Sequence, residues 1–234
     1  MKHFAEISGL PVGEGLPHWQ PCERPSREAM IGHYCRLEGV DVDRHGRDLY
    51  EAFQLNTDQS SWAYLPYGPF DSFDSFEYWL DSCKHGDDPL FYAVIDKDTG
   101  IAVGLVSYLR MTPNVGVIEV GHIHFSPLLQ RTPMATEAMY LMMKRVFDEL
   151  GYRRYEWKCD ALNEPSAKAA ARLGFTFEGI FRQATIYKGR NRDTAWFSIT
   201  DKEWPVLRNA LERWLAVENF DSCGQQIQPL AMLR

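Results

Sequence analysis

Two sets of residues in this chain have the types and spacing to do chemistry. The first is the run from Ser126 to Ala138, where Gln130, Arg131, Thr132 and Pro133 precede Met134, Ala135, Thr136 and Glu137. Thr132 is a favoured helix N-cap, and Pro133 fits the first helical position because its missing N–H would have no partner there. The amides of Met134, Ala135 and Thr136 would then open the helix. They point forward, with the positive end of its dipole, at any anion in front of them. The apolar run Gly116–Phe125 just before reads as a strand. Strand, turn and helix start together predict a site for a phosphorylated cofactor.

The second set lies in that strand and just beyond it. Glu119 is the one acid between Val115 and Phe125. Burial would raise its pKa toward the range useful for taking a proton from an ammonium, whereas pairing with an arginine is the structural alternative. His122 and His124 stand two apart, on one face of a strand. Each is a candidate proton acceptor, and each is equally a candidate hydrogen-bonded core residue. As zinc ligands they lack a third and fourth partner nearby, so no metal is expected. Asn163 and Ser166 open a later helix, with Asn163 as its cap. Cys159 ends a short strand with no histidine fixed beside it and reads as core.

The stretch Gln130-x-x-Pro133-x-Ala135-Thr136-Glu137-Ala138 resembles the pyrophosphate loop of the GCN5-related N-acetyltransferases (GNAT), whose pattern is Gln/Arg-x-x-Gly-x-Gly/Ala. The branch related to ribosomal-protein N-terminal acetyltransferases often continues Thr-Glu-Ala. Asn163–Ser166 leading into Leu173, Gly174 and Phe175 is similar to the family's second cofactor-contacting helix. Phe177–Arg182, Gly189–Arg190, Asp193–Ser198 and Glu203–Pro205 are similar to its closing hairpin. The likeness covers roughly residues 33–205, and Pro133 departs from the usual glycine.

The resemblance implies an α/β (α+β) mixed sheet, mostly antiparallel, with flanking helices. It implies an acetyl-CoA-dependent N-acetyltransferase in which a primary amine attacks the thioester directly. The oxyanion donor would be a backbone N–H within His122–Phe125, so that Ile123, His124 and Phe125 join Gln130, Arg131, Thr132, Met134, Ala135, Thr136, Asn163 and Ser166 as cofactor contacts. Many members protonate the leaving thiolate with a tyrosine seven positions after the helix asparagine. That position is Ala170 here, and Ser166 is the substitute to test. The cofactor would lie between the strands Gly116–Phe125 and Tyr155–Cys159. The acceptor, a small-molecule amine or a protein N-terminus, would enter from the other side, near Glu119, the aromatic loop Trp62–Phe70 and the last hairpin. The missing tyrosine and Pro133 also suit a different reading, a non-catalytic acyl-CoA-binding sensor or scaffold module.

The elements that must position these residues follow from periodicity. Strands are expected at Tyr34–Val40, Leu90–Asp96, Ile101–Leu109, Gly116–Phe125 and Tyr155–Cys159, with a hairpin of Phe175–Ile186 and Arg192–Thr200 about the basic turn Lys188–Asn191. Helices are expected at Asp43–Gln54, around Phe76, Trp79, Leu80 and Cys83, at Pro133–Leu150, Asn163–Leu173 and Asp201–Val217. Residues 1–32, with prolines 11, 17, 21 and 25, read as an irregular arm packed through Trp19; 33–218 as a single domain; 219–234 as a loose tail. A net charge of −7 argues against nucleic acid as a partner, and no apolar run is long enough to predict a membrane span. Five scattered cysteines and no signal-peptide pattern point to the cytoplasm. A homodimer is compatible with all of this.

Overall fold

The longer apolar runs become strands, and the strands gather into one large sheet. The computed structural model describes residues 3–4 and 8–234. In chain order the strands are β1 (His3–Phe4), β2 (Pro11–Val12), β3 (Met30–Ile31), β4 (Cys35–Gly39), β5 (Leu90–Asp96), β6 (Ala102–Thr112), β7 (Val117–Phe125), β8 (Arg154–Asp160), β9 (Thr176–Tyr187) and β10 (Arg190–Thr200). The helices are α1 (Val42–Gln54), α2 (Phe73–Lys84), α3 (Pro133–Lys144), α4 (Glu164–Leu173) and α5 (Trp204–Leu215). β1 and β2 pair only with each other; the other eight strands lie in the order β3-β4-β5-β6-β7-β8-β10-β9. Every neighbouring pair is antiparallel except β7 and β8. A parallel pair needs a long crossover, and α3 supplies it. The mixed, mostly antiparallel sheet is therefore the expected one.

Both faces of the sheet are covered. On one, Leu49 and Phe53 of α1 and Phe76 and Leu80 of α2 pack on Phe91, Ala93 and Ile95 of β5 and Leu105 of β6. On the other, Met139, Met142 and Met143 of α3 and Leu207 and Leu211 of α5 pack with Tyr92, Val106, Ile118 and Tyr155. Strands buried on both faces read as continuous apolar runs, which is the pattern of Leu90–Ile95. Short polar side chains start four helices: Asp41, Ser72, Thr132 and Asn163 accept from the amides of Arg44, Ser75, Ala135 and Ser166 at 3.2 to 3.3 Å.

Glu137 fastens α3 to the start of β4. Its buried carboxylate accepts the amides of His33 (2.6 Å), Tyr34 (2.7 Å) and Cys35 (2.7 Å). The turn closes on it so tightly that a Cβ on Gly32 would lie 2.4 Å from the carboxyl carbon. The glutamate of the Thr-Glu-Ala sequence is thus an acceptor for a nest of backbone donors.

Several boundaries differ from the sequence expectation. α3 does not run unbroken to Leu150; it passes into a π turn at Arg145–Glu149. The last hairpin turns on Lys188 and Gly189 alone, both at positive φ (48° and 70°), a two-residue turn that suits strand twist. Arg190 and Asn191 therefore join β10 ahead of Arg192, and both stay exposed. Met30–Ile31, inside the segment read as irregular, pairs with β4. Trp19 donates from Nε1 to Asn114 O at 2.8 Å and fills the space over Gly116. The tail read as loose is packed: Leu230 and Leu233 are buried, and Asn219 Nδ2 donates to the carbonyls of Trp214 and Gln228. No helix among the described residues is long and apolar enough to cross a membrane.

Candidate active site

The site begins where two strands part. β7 and β8 pair from Val117–Arg154 to Val120–Trp157 and then separate, although both continue. A bulge accompanies the parting: Leu105 pairs with His124 but Ser107 with Gly121, so His122 and Ile123 oppose a single residue of β6. His122 sits at φ 50°. Bulges bend a strand and re-aim its groups. Beyond the bulge Ser126 N donates to Val103 O at 3.1 Å. Alternation then turns the amides of Ile123 and Phe125 away from β6, toward the gap.

A cavity of 660 Å³ opens on one side of the gap, lined by Ile123, His124, Phe125, Gln130, Arg131, Thr132, Ala135, Thr136, Asn163 and Ser166 among others. Most of the predicted cofactor contacts are thus brought together. The Met134 side chain is the exception, packing on the main core and leaving only its amide at the helix start. The Ala135 amide is turned onto Thr132 Oγ1, and Gln130 Nε2 donates to Phe125 O at 2.6 Å. Arg131, at φ 62°, has no ion pair among the described residues. Opposite it stands Arg172 of α4, which sequence reasoning missed. Its Nη1 donates to Thr136 Oγ1 at 3.0 Å, its guanidinium lies 4.8 Å from the Trp214 ring centre, and burial lowers its pKa. Trp214, Phe220, Gln225 and Gln226 close the far end. A helix start between two guanidinium groups fits a diphosphate, and the apolar slot of Ile123, Met139, Ala169 and Leu173 fits the rest of a coenzyme.

A second cavity, of 560 Å³, lies on the other side and shares Ser61, Ile123, Gln130, Trp157, Asn163 and Ser166 with the first. Glu119 lines it, bound to Arg110 Nη1 (2.6 Å) and Lys158 Nζ (2.8 Å). Lys158 also meets Glu156 (2.8 Å), and Arg154 joins Glu156 (2.7 Å) to Glu178. A row of alternating charges thereby crosses from β6 to β9. The aromatic loop forms part of the wall through Tyr64, Leu65 and Pro66, and Lys188 Nζ on the hairpin holds it by Trp62 O at 2.8 Å.

The two histidines are both neutral. His122 bonds through Nδ1 to the Tyr67 hydroxyl at 3.0 Å, and burial, then Arg110 and Arg192, push its pKa down to about 4. His124 stacks on Phe53 at 3.9 Å and bonds Ser61 Oγ through Nε2 at 3.0 Å; burial pushes it down to about 3. Ser166 Oγ accepts from Trp157 Nε1 at 3.0 Å, and its own hydroxyl hydrogen-bonds the Cys159 side chain. Ala170 is wholly buried. Burial raises the Cys159 thiol pKa, so it is held as a thiol.

Comparison with known proteins bears on the family and the fold. A family model described as the acetyltransferase (GNAT) domain matches residues 42–176. The crystal structure of a GCN5-related N-acetyltransferase from Brucella melitensis superposes with a TM-score of 0.91 at 49% identity, over 93% of this chain and 99% of that one. A protein described as a probable GNAT-family acetyltransferase from Chromobacterium violaceum gives 0.77 at 44% identity, over 84% and 98%. An uncharacterised N-acetyltransferase of Bacillus subtilis is 25% identical over 159 residues, 68% of this chain and 91% of that protein.

Proposed function

This chain belongs to the GNAT acetyltransferase family, and from that premise we propose that it moves the acetyl group of acetyl-CoA to a primary amine by direct attack. The observation that carries the reading is the pair of cavities meeting across the parted ends of β7 and β8. Such an arrangement admits cofactor and acceptor from opposite sides with the thioester between them. Coenzyme A would lie in the first cavity. Its diphosphate would take the helix start through the Met134 amide, the Ala135 amide being held by the Thr132 cap, with Arg131 and Arg172, and its arm would pass Asn163 and Ile123. The amides of Ile123 and Phe125 are the candidate donors to the oxyanion.

Attack joins the amine nitrogen to the thioester carbonyl carbon, the C–S bond breaks, and the amine gives up a proton. Ser166 is the proposed donor to the leaving sulfur, since it lines both cavities and its hydroxyl can turn from the Cys159 side chain toward that sulfur. Glu119 suits the part of base poorly, because two cations already hold its carboxylate. His122 lines the acceptor cavity unprotonated, but a pKa of about 4 makes it a weak base, so its proposed part is to orient a water that carries the proton away. The nearby cations assist by disfavouring the ammonium form of the substrate. His124, stacked inside the aromatic cluster, is assigned to structure.

The test is release of free CoA thiol from acetyl-CoA with a panel of primary amines. Turnover with at least one class, abolished or cut about a hundredfold in Ser166→Ala or His122→Phe, is the expected result. Tight CoA binding with no transfer to any amine would favour the non-catalytic binding module.

A further inference from the structure

We propose that the acceptor amine itself carries a carboxylate, and that Arg192 is the residue that selects it. The proposal rests on the acceptor side of the transfer reading above and concerns the second cavity only.

Five charged residues line that cavity: Arg110, Lys158 and Arg192, against Glu119 and Asp160. Two of the cations are spoken for. Arg110 holds Glu119, and Lys158 lies between Glu119 and Glu156. Both acids are engaged as well, Asp160 by the Tyr187 hydroxyl at 2.9 Å and the Leu162 amide at 2.8 Å. Arg192 alone of the five has no ion pair and no hydrogen bond among the described residues, and its Nε is buried with no partner. What it has is the face of Tyr187, 5.8 Å from the guanidinium carbon. A buried donor left unpaired costs stability, and the cost is relieved when a ligand supplies the acceptor.

The surroundings make Arg192 a recognition group and not a wandering surface cation. Its backbone is fixed in the ladder opposite Thr185, which lines the same cavity. His122 lines the same cavity and feels the Arg192 charge, so the guanidinium and the proposed amine site face one ligand. The chain as a whole carries −7, yet this cavity holds three cations against two acids. A cationic acceptor such as a polyamine would meet repulsion there. A carboxylate two or three bonds from the attacking nitrogen would complete the guanidinium fork, and 560 Å³ admits an amino acid with room for a larger side chain or a second residue.

Two measurements test this, each on the full chain. In the first, N-acetyl amino acids and their carboxamides are titrated calorimetrically into CoA-saturated protein. The acids should bind at least tenfold tighter than the matched amides, and the gap should close in Arg192→Met and narrow in Arg192→Lys. In the second, kcat/KM is compared for free amino acids, their carboxamides and the corresponding simple amines, where the acids should lead by about a hundredfold through KM. Equal binding of acid and amide, a preference for cationic amines, or an acid preference that survives in Arg192→Met overturns the proposal. Should Arg192→Met fail to fold, the wild-type comparison and Arg192→Lys still decide it. Failure of CoA itself to bind, or binding of acids without transfer, would instead strike the transfer reading, which the calorimetric arm separates from this one.

Discussion

Replacing Glu137 should destabilise the protein more than any other single polar change near the cofactor cavity. Its carboxylate is 4% exposed and accepts three amides, from His33, Tyr34 and Cys35. Hydrogen bonds to a charged group contribute about 1.5–3 kcal/mol each, and a buried donor left without a partner costs about 1–3 kcal/mol. Three bonds share one side chain, so these values do not add in full. We expect about 4 kcal/mol for Glu137→Ala and about 2–3 kcal/mol for Glu137→Gln, whose NH₂ must face one of the amide donors. For a domain of this size each kcal/mol lowers the melting temperature by roughly 2–4 °C, which gives a fall of about 8–16 °C for the alanine variant. Thermal and urea unfolding followed by circular dichroism would measure it. Gly32→Ala supplies the matching perturbation, since its Cβ would press on the same carboxylate. The double variant Gly32→Ala/Glu137→Ala should cost clearly less than the sum of the singles, because the clash vanishes with its partner. A Glu137→Gln protein melting within about 2 °C of wild type would refute the reasoning.

Lys158→Met should cost about 2–3 kcal/mol, because it takes one of two cations from each of the buried carboxylates Glu119 and Glu156; urea midpoints against the more exposed Arg110→Ala, expected to cost less, would show it. His122 and His124 have folded pKa values of about 4 and about 3 against 6.5 for the free group, so the unfolded chain binds the extra protons. Stability should therefore be full above pH 6.5 and fall as pH drops toward 4, and His124→Phe should flatten the urea-midpoint profile in that window. Thr132→Ala should weaken α3 by about 1 kcal/mol and Arg172→Met should raise the CoA dissociation constant about tenfold, both read by calorimetry and melting.

The parts of this protein legible from sequence are those where local chemistry decides. The caps at Thr132 and Asn163 and the apolar run of β5 needed only residue types in order. The Gln130–Thr136 turn was readable for the same reason, and all of it but the Met134 side chain lines the cavity. What was not legible depends on distant partners. Arg172 looks like any helix-surface arginine until α4 is laid against the start of α3. The tail seemed free because Leu230 and Leu233 carry no period, yet they find the core through the turn that Asn219 holds. Glu119 was readable as either base or ion-pair member; Arg110, nine residues away across a bulge, and Lys158, thirty-nine away, turn it to the second. Arg192 was readable as the start of the last strand; its buried, unpartnered Nε was not, because that depends on what packs around the strand.

Ile123, Trp157 and Ser166 form the party wall between the two chambers, so room taken on one side is room lost on the other. Acyl donors longer than acetyl would have to push their extra methylenes through that wall, into volume the incoming nucleophile needs. Trimming Ile123 to admit propionyl or butyryl groups should thus shrink the range of nucleophiles accepted, and tolerance for donor length and tolerance for acceptor bulk should trade against each other in any engineered descendant.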